Sequence, residues 1–459
     1  MSMHRYEEKT GALSQAILEY AIWRIKTEPP LDGPRTATEL LSSAGRTITE
    51  GGLGGTEALR VFTEELAPHT ISTDNPMNWA FVPAAPTKAS VLFDLVVGAS
   101  SMIGSSWLES SGAVFAENQA LRWLADLAGM PDEAGGVFVS GGSAGNLSGL
   151  VAARFTAAER RDGRPARWKI AATDDAHSSI WMAARVMDVD VIPVHTDEHG
   201  RLTGGALREK LNEEGTDTDG LFAVVATAGT TNAGIVDDLT GISEVCRERN
   251  LWLHVDGAYG GAGLAAPSIR HLYDGIENAD SLVVDPHKLL FAPFDCAALL
   301  YRDPALAARA HMQEASYLDD INSGEEWSPS HYAYHLTRRV RGLPFWFSLA
   351  TYGTKAYAEA IETVLQLARD TADDIRSRPE LELVLDPEVT VVVFRRKGWS
   401  DDDYTTWCEK LLKEQKAFVL PTTWRGERLM RFCFVNPNTT IGSVRSILDT
   451  MSRKPAAGS

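Results

Sequence analysis

The side chain best suited to chemistry is Lys288, which follows a short apolar run that Pro286 ends. That run, at residues 282–284, has the length and the proline boundary of a buried β-strand. A lysine at the end of such a strand can be desolvated, and its amine then becomes a nucleophile towards an aldehyde. Alone, the pair His287-Lys288 is also typical of a solvated surface, so its meaning depends on the residues upstream.

A second reactive group, Asp256, closes the apolar run at residues 251–255. A buried carboxylate needs a positively charged partner. A protonated pyridine nitrogen is such a partner in enzymes that use pyridoxal phosphate (PLP). An ion pair between Asp256 and Lys288 is the purely structural alternative.

His177 follows another β-rich run, within the segment Asp-Asp-Ala-His-Ser-Ser at residues 174–179. A flat imidazole ring can stack on a flat cofactor and can also contact a substrate carboxylate. Residues 227–232, Thr-Ala-Gly-Thr-Thr-Asn, form a turn of small residues after a further strand. A lone histidine and a lone turn are each more often structural, so neither identifies a site alone.

Residues 140–146, Ser-Gly-Gly-Ser-Ala-Gly-Asn, connect a predicted strand to a predicted helix. Glycines at such a turn let backbone N–H groups approach an anion, and the helix N-terminus favours negative charge. Ser143 can add a hydroxyl, although a tight turn with a serine cap explains the same residues. In chain order, the four segments supply a phosphate cradle, a ring stacker, a pyridinium partner and a Schiff-base lysine. Together they predict a PLP site.

The elements that must position these residues alternate between β-rich runs and helical or loop segments. This alternation, with nearly continuous apolar strands, predicts an α/β fold with a mostly parallel central sheet and helices on both faces. Ligands bind such sheets at the carboxyl ends of the strands, where the candidate residues lie. The runs span residues 136–139, 168–171, 189–192, 221–226, 251–255, 282–284 and 297–301.

The flanking regions suggest further units. Residues 12–27 have the periodicity of an amphipathic helix, and residues 388–394 and 431–435 predict strands of a smaller lobe. The polar connection at 302–345 predicts a mobile loop at about 315–335, and we expect a disordered tail at 454–459. The domains predicted from these features are an N-terminal helical segment at 1–87, a large domain at 88–345 and a small C-terminal domain at 346–459.

The composition restricts the classes of partner and compartment. A net charge of −18 over 459 residues disfavours a nucleic-acid partner, because phosphate binding needs clustered Lys and Arg. Four cysteines without CxxC spacing predict no metal site and no disulfide framework, which favours a reducing cytoplasm. No run of about 18 uncharged apolar residues occurs, so we expect no membrane partner.

The motifs resemble those of the PLP-dependent group II amino-acid decarboxylases, particularly the aromatic-L-amino-acid decarboxylases. The resemblance covers roughly residues 70–450, including similar segments at 81–83, 117–123, 338–346 and 431–432. Its most specific parts are Asp-Ala-His-Ser-Ser (175–179), Gly-Thr-Thr (229–231), Trp-Leu-His-Val-Asp-Gly-Ala-Tyr (252–259), Asp-Pro-His-Lys (285–288) and Phe-Asp-Cys (294–296).

The resemblance implies a PLP-dependent transferase-like fold of type I and a role for each matching residue. Lys288 would form the Schiff base with PLP, and Asp256 would hold the pyridine nitrogen. His177 and Ala258 would cover the two faces of the ring. Gly142, Ser143 and His287 would line the phosphate or the Schiff base, and Thr231 is similar to a family threonine near the cofactor.

The implied reaction is decarboxylation of an L-amino acid, most simply an aromatic one, to its amine and CO₂. A loop tyrosine would protonate Cα, with Tyr332 favoured over Tyr334, and Phe81 and Arg431 would bind the substrate. The family further implies a homodimer whose N-terminal helices embrace the partner and whose active sites lie at the interface.

Departures from the family leave alternatives open. Asp285 stands where animal enzymes of the family carry Asn, and Ala84 and residues 75–79 differ from their aromatic pocket, so acidic or diamino substrates stay open. An aldehyde synthase on the same scaffold would couple decarboxylation to oxidative deamination. A cofactor-binding protein without turnover is disfavoured because both Asp256 and Lys288 are present.

Overall fold

A seven-stranded sheet forms the centre of the chain in a computed structural model, which describes residues 3–28, 30–313, 316 and 326–452. Its strands follow the order β1-β7-β6-β5-β4-β2-β3. Strand β7 is antiparallel to both of its neighbours, and the other neighbouring pairs are parallel. This confirms the predicted α/β class. The strands are β1 (Gly135–Val139), β2 (Lys169–Thr173), β3 (Asp190–Val194), β4 (Leu221–Thr227), β5 (Trp252–Asp256), β6 (Ser281–Val284) and β7 (Ala297–Tyr301).

Helices precede and cover this sheet. The N-terminal helices are α1 (Glu8–Lys26), α2 (Ala37–Ala44), α3 (Gly55–Arg60), α4 (Lys88–Ala99) and α5 (Trp107–Leu127). Those between the strands and after them are α6 (Gly142–Glu159), α7 (Ser178–Met187), α8 (Gly204–Asn212), α9 (Leu239–Arg249) and α10 (Pro304–His311). Helix α1 covers residues 12–26 of the amphipathic segment expected at 12–27, and none of its residues is buried in this chain.

The C-terminal part adds a second, four-stranded antiparallel sheet. Its strands are β8 (Leu381–Leu383), β9 (Val391–Arg396), β10 (Leu420–Trp424) and β11 (Glu427–Cys433), in the order β10-β11-β9-β8. Its helices are α11 (Leu343–Arg376), α12 (Asp401–Lys413) and α13 (Ile441–Asp449). Trp79 packs on Phe432 and Phe434 with ring centroids 5.0 and 5.5 Å apart, so the chain before α4 is joined to this sheet.

Two expected features extend outside the described residues. The mobile loop predicted at 315–335 includes residues 315 and 317–325, and the predicted tail at 454–459 lies entirely in the undescribed C-terminal residues. Within the polar connection, α10 and a short 3₁₀-helix at Pro329–His331 are described. The domain boundaries stay a prediction.

The register of the central strands aligns their carboxyl ends. Thr227, the last residue of β4, pairs with Asp256, the last residue of β5. Asp256 in turn pairs with Val283 of β6. Because these strands are parallel, the segments that follow them emerge at one edge of the sheet.

Helix α6 packs unusually closely on this sheet because its inner face carries glycines. A Cβ atom at Gly145 would lie 2.8 Å from the Val283 side chain, and one at Gly149 would lie 2.9 Å from His254 Nδ1. Side chains at these positions would push the helix outwards. The glycines thus bring α6 within hydrogen-bonding reach of the side chains of β5.

Candidate active site

A cavity of about 300 Å³ lies at this edge of the sheet, formed by the segments that follow β1, β2, β4, β5 and β6. It brings together residues from five separate stretches of the sequence. All eight residues expected to contact a cofactor line it: Gly142, Ser143, His177, Thr231, Asp256, Ala258, His287 and Lys288. It is also lined by residues that were not expected to contact a cofactor: Ser140, Gly141, Asn146, Thr227, Gly229, Tyr259, Asp285 and Phe294.

The amine of Lys288 forms an ion pair inside the cavity. Its Nζ lies 2.9 Å from Oδ2 of Asp285, whose side chain is 1% exposed. Burial opposes the charge of the lysine, but the neighbouring carboxylate outweighs burial, so the pKa of Lys288 is raised above its usual value. The structural alternative considered from the sequence, an ion pair with Asp256, is therefore not formed; Asp285 takes that place.

Asp256 is held by neutral donors on both oxygens. The backbone N–H of Ala258 donates to Oδ1 at 3.1 Å, and the side-chain amide of Asn146 donates to Oδ2 at 2.8 Å. The residue is 5% exposed. Neutral donors orient a carboxylate without cancelling its charge, so this site favours a cation in the cavity.

His177 is the N-cap residue of α7, and this fixes its ring. Its Nδ1 accepts a hydrogen bond from the backbone N–H of Ser179 at 3.2 Å and lies 2.8 Å from the Ser179 hydroxyl. The capping contact turns the outer edge of the ring, with Nε2, away from the helix end.

The start of α6 forms a cradle that admits only glycine at its centre. A Cβ atom at Gly142 would lie 2.8 Å from that of Ala258, and the Gly142 N–H donates to Asp285 Oδ2 at 3.2 Å. Ser143 begins the same helix and lines the cavity. Backbone N–H groups at a helix N-terminus favour an anion.

His287 lines the same cavity and is kept neutral. Its Nδ1 accepts a hydrogen bond from the Cys296 N–H at 3.1 Å, and burial lowers its pKa. Its Nε2 is 3.6 Å from Asp285 Oδ2. With Nδ1 acting as an acceptor, the ring proton is on Nε2, where it can be donated into the cavity.

Arg431, on β11, contacts the site from the second sheet. Its Nε donates to the Thr231 carbonyl at 2.9 Å, and its Nη1 donates to the carbonyl of Phe81. Within the described part of the chain, its buried Nη2 has no hydrogen-bond partner. Phe81 itself is 66% exposed and has a φ of +53°. The two residues expected to bind substrate are thus joined to each other and, through Thr231, to the cavity.

Tyr332 does not line the cavity of its own chain. Its ring stacks on Trp327 with centroids 4.0 Å apart, and its carbonyl accepts a hydrogen bond from Tyr301. Burial raises the pKa of Tyr332 to about 12. Tyr334 is 54% exposed. A catalytic role for Tyr332 therefore stays a prediction.

Sequence reasoning gave no contact to several lining residues, among them Asn146, and it noted Asp285 only as a departure from the family. Both belong to segments that were recognised, but a motif does not show which of its side chains turn inwards. Asn146 lies four residues after Gly142, and this helical spacing was a signal that it shares the face of the cradle.

Comparisons with known proteins agree with this geometry. Residues 59–397 match the family model described as the pyridoxal-dependent decarboxylase conserved domain. Aromatic-L-amino-acid decarboxylase of Bacillus atrophaeus is 31% identical, with 87% of this chain and 85% of that protein covered. L-2,4-diaminobutyrate decarboxylase of Acinetobacter baumannii is 26% identical, with 95% and 91% covered. The crystal structure of Oryza sativa TDC with PLP and tryptamine superposes with a TM-score of 0.90 and 25% identity, covering 98% of both chains.

Proposed function

The chain belongs to the pyridoxal-dependent decarboxylases and is a PLP-dependent amino-acid carboxy-lyase, and we propose that its substrate is an aromatic L-amino acid bound in the cavity around Lys288. The observation that carries the proposal is the convergence, in one cavity, of an amine, a carboxylate held by neutral donors, a histidine ring and a glycine cradle.

The lining residues fit PLP. Gly142, which has no room for a side chain, together with Ser143 and His287 would hold the phosphate at the N-terminus of α6. Asp256 would pair with the ring nitrogen, His177 and Ala258 would flank the ring, and Lys288 would hold the cofactor covalently. Thr231 would complete the lining.

When bound, PLP takes up the electron pair that stays on Cα as CO₂ leaves. The chain must then supply orientation and protons. Lys288 has to leave Asp285 and lose a proton before it is nucleophilic, and it can return a proton once it is released. Arg431 does not itself line the cavity. Its Nη2, which is buried and has no hydrogen-bond partner among the described residues, would bind the substrate once the guanidinium is turned towards the cavity.

An aromatic side chain is supported by two exposed phenyl rings. Phe294 lines the cavity and is 52% exposed, and Phe81 lies beside Arg431. Exposed aromatic rings offer stacking and apolar contact to an aromatic substrate. The names of similar proteins support the same class, while the diaminobutyrate relative keeps a diamino substrate as the alternative.

The test is a panel of L-amino acids incubated with PLP-loaded protein, with CO₂ and amine measured for each. The panel should contain aromatic, imidazole, acidic and diamino substrates. We expect the highest kcat/KM for an aromatic amino acid. The Lys288→Ala variant should produce no CO₂ or amine from any member of the panel. A higher kcat/KM for glutamate or diaminobutyrate would overturn the substrate class.

Aldehyde synthesis is a second candidate, favoured by the position of Tyr332. Among the described residues, Tyr259 is the only tyrosine that lines the cavity, and its hydroxyl shares a hydrogen bond of 2.6 Å with the hydroxyl of Thr390. Without a tyrosine to protonate Cα, O₂ and water would convert the decarboxylated substrate to an aldehyde, with release of ammonia and H₂O₂. Equal yields of aldehyde and peroxide, without amine, would establish this candidate in place of the first.

We also propose that the protein is a homodimer with its active sites at the interface. Helix α1 buries none of its residues, although Ile17, Leu18, Ile22 and Trp23 are each more than 40% exposed. Burying such an apolar face on a partner is favourable. Light scattering should give twice the mass of the chain, and a monomeric mass would contradict this assembly.

A cytoplasmic location is supported by Cys246, Cys296, Cys408 and Cys433, which are all free and buried. No helix in the described ranges has the length and apolar character needed to cross a bilayer. Cell fractionation with an antibody to the chain tests the location, and enrichment in an exported fraction would contradict it.

A further inference from the structure

A line of buried polar side chains connects the body of the sheet to the cavity. Trp252 Nε1 lies 2.8 Å from the hydroxyl of Ser281, which lies 2.7 Å from His254 Nδ1. His254 Nε2 lies 2.9 Å from Oδ1 of Asn146. Trp252 and His254 alternate along β5 with the apolar core residues, so they share one face with Asp256.

At Asn146 the line divides into two arms. Its Nδ2 donates to Asp256 Oδ2 at 2.8 Å and to the Ser179 hydroxyl at 2.9 Å. The Ser179 hydroxyl lies 2.8 Å from His177 Nδ1. One side chain therefore contacts the carboxylate directly and the histidine through a single serine.

The chemistry of the end groups sets the direction of every hydrogen bond. A carboxylate accepts only, so the Asn146 atom that faces Asp256 must be the donor Nδ2 and its Oδ1 must face His254. His254 therefore carries its proton on Nε2 and accepts at Nδ1 from Ser281. The indole N–H of Trp252, which can only donate, completes the line.

The second arm is directed in the same way. The Ser179 hydroxyl oxygen accepts from Asn146, so its proton points to His177 Nδ1. The Ser179 backbone N–H donates to the same nitrogen at 3.2 Å. With two donors on Nδ1, the His177 ring carries its proton on Nε2, the edge that is not occupied by α7.

The line lies in the interior of the chain. Asn146 is 1% exposed, and His254 and Ser281 are each 0% exposed. Burial lowers the pKa of His254 to about 4, so the ring stays neutral near pH 7. Asp256 is the charged group that faces this ring from β5, and Asn146 and Gly149 face it from α6.

We propose that Asn146 is a positioning residue that fixes the Asp256 carboxylate and the His177 tautomer together. This inference rests on the proposed function, because it is the cofactor ring that these two groups would hold. A structural asparagine would only stabilise the packing of α6, whereas a positioning residue also sets the protonated nitrogen of His177 and the retention of PLP.

The test compares Asn146→Ala and Ser179→Ala with wild-type protein. The ¹⁵N shifts of the His177 ring report its tautomer in the PLP-free protein, and the absorbance of bound PLP reports its rate of release. Asn146→Ala should lower the population of the Nε2–H tautomer, because the Ser179 hydroxyl is no longer oriented towards Nδ1 and only the Ser179 backbone N–H is fixed there. It should also release PLP roughly tenfold faster or more, because a hydrogen bond to a charged group is lost. Ser179→Ala should also shift the tautomer of His177. Its effect on the rate of PLP release should be smaller, because the hydrogen bond from Asn146 to Asp256 is intact.

Thr156→Val is a matched control on the same helix. Thr156 is buried, and its hydroxyl has no hydrogen-bond partner among the described residues. The Thr156→Val substitution should leave the His177 tautomer and the rate of PLP release unchanged. Unchanged tautomer and PLP release in Asn146→Ala would overturn the inference. Wild-type protein that does not bind PLP would instead refute the proposed function, and the His177 tautomer would still decide between a positioning and a structural Asn146.

Discussion

Lys288 Nζ lies 2.9 Å from Asp285 Oδ2 within a single turn after β6. The other oxygen of Asp285 is buried and has no hydrogen-bond partner among the described residues. The carboxylate therefore depends on the lysine for compensation of its charge. A lysine that must react as a neutral amine is held here by the group that best keeps it charged.

Replacing Asp285 by Asn should speed the covalent attachment of PLP. The carboxylate raises the pKa of Lys288, so Asp285→Asn lowers that pKa and increases the neutral fraction of the amine, roughly tenfold for each pKa unit. Stopped-flow absorbance after mixing PLP-free protein with PLP, at several pH values between about 7 and 9, measures the rate. Lys288→Ala is the control without attachment, and slower attachment in Asp285→Asn at every pH would refute this role.

Arg431→Lys should weaken substrate binding more than PLP binding. The single nitrogen of lysine cannot span the two carbonyls that Nε and Nη1 of Arg431 contact and also reach the position of Nη2, so we expect KM to rise roughly tenfold or more at nearly constant PLP affinity. Steady-state kinetics with the best substrate, together with PLP titration, separates the two effects. Equal losses in both affinities would instead indicate a general distortion of the cavity.

Breaking the buried ion pair of Glu117 and Arg338 should lower the free energy of unfolding substantially. Both Glu117 oxygens accept from Arg338 Nη2, at 2.7 and 2.6 Å, and the side chains are 2% and 0% exposed. Glu117→Gln leaves the arginine charge uncompensated, which should lower the free energy of unfolding by about 3–5 kcal/mol. Urea unfolding measures it.

The exposed pair Lys355–Glu359 provides the comparison for that measurement. Its side chains are 90% and 67% exposed, so Lys355→Gln should change the free energy of unfolding by less than about 1 kcal/mol. Similar losses in the two variants would show that burial does not determine the contribution of the Glu117–Arg338 pair.

His254 should make the fold sensitive to acid. Burial lowers its pKa to about 4 from the usual 6.5, so the unfolded chain takes up this proton first as the pH falls. The stabilisation of the folded state that depends on neutral His254 is fully present above pH 6.5. It is lost as the pH falls towards 4, which lowers the free energy of unfolding by about 3 kcal/mol. Urea unfolding of PLP-free protein at several pH values measures this loss. In His254→Asn the free energy of unfolding should fall by about 3 kcal/mol less over this pH range. Equal falls in the variant and the wild-type protein would show that His254 does not take up its proton in this way.

The sequence by itself determined the kind of site and the edge of the sheet where it lies. Asp256 ends an apolar run, and His177, Gly142 and Lys288 each follow one closely. In a parallel sheet the carboxyl ends of the strands share one edge, so a local pattern repeated along the chain is enough to predict convergence. For this reason all eight residues expected to contact the cofactor line one cavity.

Only the tertiary structure decided which group is the partner of which. It pairs Lys288 with Asp285 and not with Asp256, and Asn146 with both Asp256 and, through Ser179, His177. It also brings Arg431 from the second sheet to the carbonyls of Thr231 and Phe81. Such contacts join segments that are far apart in sequence. Their donor and acceptor atoms lie about 3 Å apart, and a change of a few tenths of an ångström decides whether a hydrogen bond forms. Local periodicity fixes the face of a helix or strand, but these distances depend on how closely elements pack, as the glycines of α6 show.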